Sequence, residues 1–189
     1  MKHRQSNPAF TAGKKQKGYS LVELLAGMVI IVLLLAGVFA LFNGGLAGGK
    51  SIVHNQQLTG LIAGVKGIYT SPAYTGISAN QIITAGKAPT NMVVGAGAGA
   101  TLNNPWGGGV TIASGNYGAG TNNAFVINDA QVPTAECNTV VSGVGPSFVK
   151  IAVGATVVKD DSAGTTLTTA AVVAACAAAG ANTVVFTAT

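Results

Sequence analysis

This sequence has little charge. Only 8% of its 189 residues are Asp, Glu, Lys or Arg, while 49% are apolar. That is too apolar a composition for a disordered chain. The little charge there is lies unevenly. Lys2, Arg4, Lys14, Lys15 and Lys17 all precede Gly18, and beyond it five lysines (50, 66, 87, 150, 159) balance five acids (Glu23, Asp129, Glu136, Asp160, Asp161). The formal +5 of the chain therefore belongs to a short N-terminal segment. No basic, aromatic-interleaved face is left in the body to hold nucleic acid. Histidine and cysteine are equally scarce, with two of each. They do not make up the roughly four ligands a structural zinc needs. No Cys–His pair shares an element, and Asp160-Asp161 stand in a polar turn before Ser162-Ala163-Gly164. Neither catalysis, a metal nor a cofactor is expected. A head rich in Gly, Thr and Asn and nearly free of charge suits packing against copies of itself.

What the sequence does have is one long apolar run. Residues 24–42 (LLAGMVIIVLLLAGVFALF) contain no charge, and as a helix they would be about 28 Å long. With its flanks, such a segment crosses a bilayer core of roughly 30 Å. The basic residues before it would hold that side in the cytoplasm. A secretory signal would place small residues for cleavage after the run. Ala36-Gly37-Val38 and Leu46-Ala47-Gly48 fit that only weakly, whereas the sharp change in character falls before the run, at Lys17-Gly18. Cleavage after Gly18 makes Glu23 the fifth residue of the mature chain. A carboxylate at the mouth of an apolar helix is costly to keep.

Lys14-Lys15-Gln16-Lys17-Gly18-Tyr19-Ser20-Leu21-Val22-Glu23, followed by that run, resembles the class III signal of type IV prepilins. A leader of 18 residues and a first mature residue Tyr, not Phe, resemble the type IVb branch. Cys137, Cys176 and the turn Asn104-Pro105-Trp106-Gly107-Gly108 look like the pilins of conjugative and enterobacterial thin pili. The resemblance implies an α+β fold, the pilin αβ-roll: a long N-terminal helix, with a membrane and filament-core half and an amphipathic half, packed on an antiparallel sheet. It implies cleavage between Gly18 and Tyr19 by a prepilin peptidase and N-methylation of Tyr19. It further implies an inner-membrane precursor, the pilus assembly machinery, and a homopolymer of subunits outside the cell that can touch a host or recipient surface. Glu23 then has an assembly role. Its carboxylate would pair with the α-amine of a neighbour's Tyr19, since two buried opposite charges are tolerable together and either alone is not. In an exported head the two cysteines read as one disulfide, Cys137–Cys176, the other reading being two buried thiols. Two further functions fit less well: a type II secretion pseudopilin, which would carry an acidic calcium loop, and a single-span membrane-anchored binding protein.

The expected layout is a leader at 1–18, an N-terminal helix at 19–71 with a glycine-rich break at 43–49, and a head at 72–189 with a disulfide-bounded region at 137–176. Gly44 to Ser51 (GGLAGGKS) matches the phosphate-loop spacing G-x-x-x-x-G-K-[ST]. It follows a membrane-length run and not a short buried strand, so it is read mechanically, as glycines that each cost a helix about 1 kcal/mol relative to Ala. Leu58, Leu61, Ile62, Val65, Ile68 and Tyr69 follow helical spacing up to Pro72. His54, Gln56, Gln57 and Lys66 are placed off that stripe, with His54 in solvent. Ser78-Ala79-Asn80-Gln81 has capping-box spacing for a short helix to Ala85. Residues 95–99 read as a loop and Trp106 as a cap on the core. Strands are expected at 110–113, 124–128, 148–153, 156–159 and 183–187, and a helix at 166–179.

Overall fold

A computed structural model describes residues 21–70, 73–177 and 180–189, with side chains described for all of these except 23, 24, 37 and 39–48. The chain divides into two compact units, 1–43 and 44–189.

Helix α1 runs from Leu21 to Ile68. The break expected at 43–49 is absent: the backbone is helical through all four glycines of that stretch. Glycine weakens a helix without ending it. A true break would give up ladder hydrogen bonds and leave four N–H and four C=O groups to be satisfied elsewhere. A second helix nucleus would also have to form.

In the second unit, α1 is followed by α2 (Ala79–Thr84), β1 (Val93–Val94), β2 (Thr101–Asn103), β3 (Gly109–Gly115) and β4 (Ala124–Pro133). Then come α3 (Thr134–Val144), β5 (Lys150–Val153), β6 (Thr156–Asp160), α4 (Thr169–Cys176) and β7 (Ala181–Ala188). Among the described residues the strands form one antiparallel sheet in the order β1-β2-β3-β4-β7-β5-β6. The last strand thus inserts between β4 and β5, where Ile127 faces Phe186 and Phe186 faces Ile151.

The amphipathic part of α1 lays Leu58, Leu61, Ile62 and Val65 into the core with Phe125, Ile127, Phe148, Ile151 and Phe186. Ile68, expected on that stripe, is half-exposed, and Tyr69 only partly buried. The capping box at Ser78 and Gln81 is present, with each side chain meeting the other's backbone N–H. Five strands fall near their expected places, with β3, β4, β6 and β7 longer and β5 shorter, 150–153 against 148–153, while β1 and β2 have no expected counterpart. The C-terminal helix, expected at 166–179, begins only at Thr169 and runs to Cys176, and residues 178–179 lie outside the described residues. Pro72, expected to close α1, lies outside the described residues. The helix α3 was not read from the sequence at all.

Candidate functional site

Of the residues expected to carry function, Gly18 and Tyr19 lie outside the described residues. Glu23 is in the first turn of α1, its side chain likewise outside the description. What is described beside them is an apolar helix surface. Met28, Val29, Ile30, Ile31, Val32, Leu33, Leu34 and Leu35 are all between 57% and 66% exposed. Eight consecutive positions cover every face of a helix, so this is not an amphipathic stripe turned outward. Burying one such side chain is worth about 1.5–3 kcal/mol. The stretch therefore carries more than ~10 kcal/mol of drive to leave water, into lipid or against other chains. Among the described residues no helix is long and apolar enough to cross a membrane; the side chains of residues 23, 24, 37 and 39–48 are not part of that set.

The structure joins Cys137 on α3 to Cys176 on α4, with the two Cα atoms 5.8 Å apart. Both cysteines are buried. The bond closes a loop of 39 positions that contains β5 and β6.

Beyond β6 the chain turns at Asp160. Its Oδ1 accepts from the Ser162 N–H and hydroxyl, and its Oδ2 lies 2.8 Å from Lys150 Nζ on the neighbouring strand. The hydrogen bond from Lys150, followed by that from Ser162, holds this carboxyl down at about 2. A depressed carboxylate contributes stability above its ordinary value near 3.8 and loses it as the pH falls through about 2. The pair stands near the surface, so its effect on stability is modest. Lys150→Ala should return the Asp160 titration toward the ordinary carboxylate range. An NMR titration that finds it unmoved would assign the depression to Ser162 alone.

His54 is where the structure corrects the sequence reading most. It is fully buried, not in solvent, with Nε2 at 2.6 Å from Asp129 Oδ2, also fully buried. Its Nδ1 is 3.2 Å from Gln57 Oε1, and Gln57 too is buried, not off the stripe. Trp106 packs edge-on against the imidazole at 5.2 Å between ring centres. One turn earlier Ser51 hydrogen-bonds Glu136 of α3. The position of His54 was legible, because 54 precedes 58 by four and 61 by seven, on the apolar stripe itself. Asp129 takes an inward place in β4 after Phe125 and Ile127, and this acid in an apolar rank was the matching signal. Gln56 and Lys66 are exposed, as expected. Among the described residues no group of three or more His, Cys, Asp or Glu is placed to hold a metal ion.

A long helix lying on an antiparallel sheet, with a disulfide tying the C-terminal segments and an uncovered apolar N-terminal half, defines a pilin. The chain belongs to the PilS family: the family model described as PilS N terminal matches residues 50–189. The prokaryotic N-terminal methylation motif matches residues 13–39. A type IVb pilin from Salmonella typhi, known from a crystal structure, is similar over 71% of this chain and 96% of its own, with 26% identity and a TM-score of 0.56. TcpA, a type IV pilin from Vibrio cholerae El Tor biotype, shares the fold over 75% of this chain and 99% of its own, with 21% identity and a TM-score of 0.60. No curated protein matches the sequence. The chain is a type IV pilin of the IVb branch and a structural subunit of a pilus. Neither the pseudopilin nor the anchored binding protein is favoured.

Proposed function

We propose that the chain is made as a prepilin held in the inner membrane by residues 24–42, with its basic leader in the cytoplasm. A prepilin peptidase cuts it after Gly18 and methylates the new amine of Tyr19. The assembly machinery then polymerises residues 19–189 into an extracellular fibre for adhesion, aggregation or mating contact. The role is structural and not catalytic.

The observation that carries this reading is the helix surface at 28–35. Side chains exposed on every face need lipid before assembly and other subunits after it. The methylation motif at 13–39 supports processing at the boundary where basic character gives way to apolar. In a helix bundle that excludes water, Glu23 of an incoming subunit pairs with the α-amine of Tyr19 in one already placed. A buried ion pair is suited to fixing register in this way.

Mass spectrometry of sheared surface material tests the processing step. The expected N-terminal peptide begins at N-methylated Tyr19. An intact leader, or a new N-terminus beyond residue 42, would contradict the proposal.

A further inference from the structure

We propose that the heads of neighbouring copies join end to end, the outer face of α4 in one seating in a slot beside β2 and β3 of the next. The proposal rests on the chain's role as a pilus subunit and names a contact between its heads. The sequence marks the two surfaces. No Asp, Glu, Lys or Arg occurs from residue 88 to 128, nor from 162 to 189. The first stretch builds β1, β2, β3 and the start of β4, and the second builds α4 and β7. In the sheet β1 is one edge strand and β6 the other, and seven strands put about 29 Å between them. Helix α4 packs on β5 and β6, so it belongs to the second edge. Outside α1, the large apolar side chains that stand exposed among the described residues are Val94, Val157 and Val173. Val94 is on β1, Val157 on β6 and Val173 on α4. The uncovered apolar side chains of the sheet and its helices thus gather at the two ends of the sheet.

The β6 end is a ridge. Ala170, Val173, Ala174 and Ala177 are exposed, at the i, i+3, i+4, i+7 spacing of one helix face. Val172 and Cys176 are buried on the other face. A helix that is apolar all round is one whose outer side is also covered. The alanines around Val173 let another backbone come close. The charges at this end, Lys150–Asp160 and Lys159–Asp161, are paired with each other, so the ridge brings no net charge into a contact.

The β1 end is a slot. Strands β2 and β3 pair at Leu102–Val110 and Asn103–Gly109 and part beyond, where β3 runs on to Gly115 against β4 alone. The gap is a cavity of about 460 Å³ whose walls include Ala79, Ala100, Thr101, Leu102, Thr111 and Ile112. No ionisable side chain lines it, and Val94 flanks it as the register partner of Thr101. An uncharged apolar ridge fits an uncharged apolar slot. The occupant is a second copy of this chain, because the pilus brings copies together and each copy carries both surfaces. The surfaces differ and lie at opposite ends of one sheet. Their contact is therefore head to tail, and such a contact propagates as an open fibre instead of closing as a two-fold dimer.

Cross-linking within sheared fibres tests the contact. The full chain carrying both Thr101→Cys and Val173→Cys, treated with a short bismaleimide, should give a ladder of dimers, trimers and longer multimers on a denaturing gel. Each single variant should give monomer only, because like positions do not meet in a head-to-tail contact. A dimer band from Val173→Cys alone would overturn the proposal, as would fibres of the double variant without a ladder. Should the double variant make no fibres, hydroxyl-radical footprinting of wild-type fibres decides. Val94 and Val173 are expected to be oxidised several-fold less in fibres than in the detergent-held monomer. Equal oxidation would leave the α4 face free for a foreign partner and overturn the contact. A wild type that makes no fibres would overturn the proposal together with the reading it rests on, whereas fibres without a ladder overturn the contact alone.

Discussion

Replacing Glu23 by Gln should leave the chain inserted in the membrane and cut after Gly18, yet abolish fibres. Gln has nearly the shape of Glu and is cheaper to bury, so a residue that only marked a membrane interface would tolerate the change. In a helix bundle the consequence is different. The amine of Tyr19 in each neighbour would be left buried without its partner, and truncating one side of a buried pair costs about 3–5 kcal/mol. Every added subunit would bear that cost, so it accumulates along the fibre instead of being met once. The measurement compares processed pilin in the membrane fraction with the yield of sheared fibres. Full processing with wild-type fibre yield would show that the charge of Glu23 is not needed for assembly.

The other large effect is expected in the head. The Cys137–Cys176 bond closes a loop of 39 positions, and in the chain-entropy model such a closure contributes roughly 4 kcal/mol. That is a large share of the 5–15 kcal/mol that holds a typical domain together. Both cysteines are buried at the contact of α3 with α4, so the double change to Ser also places two hydroxyls in an apolar site. The double Cys→Ala variant separates the two effects. It should lower the denaturation midpoint of the head by an amount set mainly by loop entropy, and the Ser variant should lower it further. A midpoint equal to wild type in the Ala variant would mean that packing alone holds α3 and α4 together.

The parts of this molecule that follow a simple period were legible. The apolar run at 24–42 and the stripe from Leu58 to Val65 both predict helix. Ser78 and Gln81 mark the start of α2, and short β-branched runs between Gly, Asn and Asp mark four of the longer strands. What escaped was structure whose signal is weak or split between distant residues. The strands β1 and β2 are only two and three residues long, too short for a pattern. Helix α3 did carry one, since Cys137, Val140, Val141 and Val144 are spaced as a buried helix face and all are buried. Its start carries no signal, since Pro133 before it offers no side-chain cap. The glycines at 43–49 were given too much weight, as propensity lost residue by residue is not a broken ladder. The burial of His54 is hidden because a lone histidine on a helix reads as a solvated residue. Its partner is 75 positions away, and no local rule could pair it with Asp129, although each stood at an inward position in its own period. The proposed processing at Gly18 and Tyr19 rests on the change from basic to apolar character there and on the motif, and both residues lie outside the described set.

The central claim is that copies of this chain build the fibre itself. Electron microscopy of sheared surface material, with gold-labelled antibody raised against residues 50–189, tests it most directly. Label is predicted along the whole length of thin fibres, which should vanish when the chain is deleted and return when it is restored. Label that stays with the membrane fraction after shearing, with fibres absent or unlabelled, would contradict it.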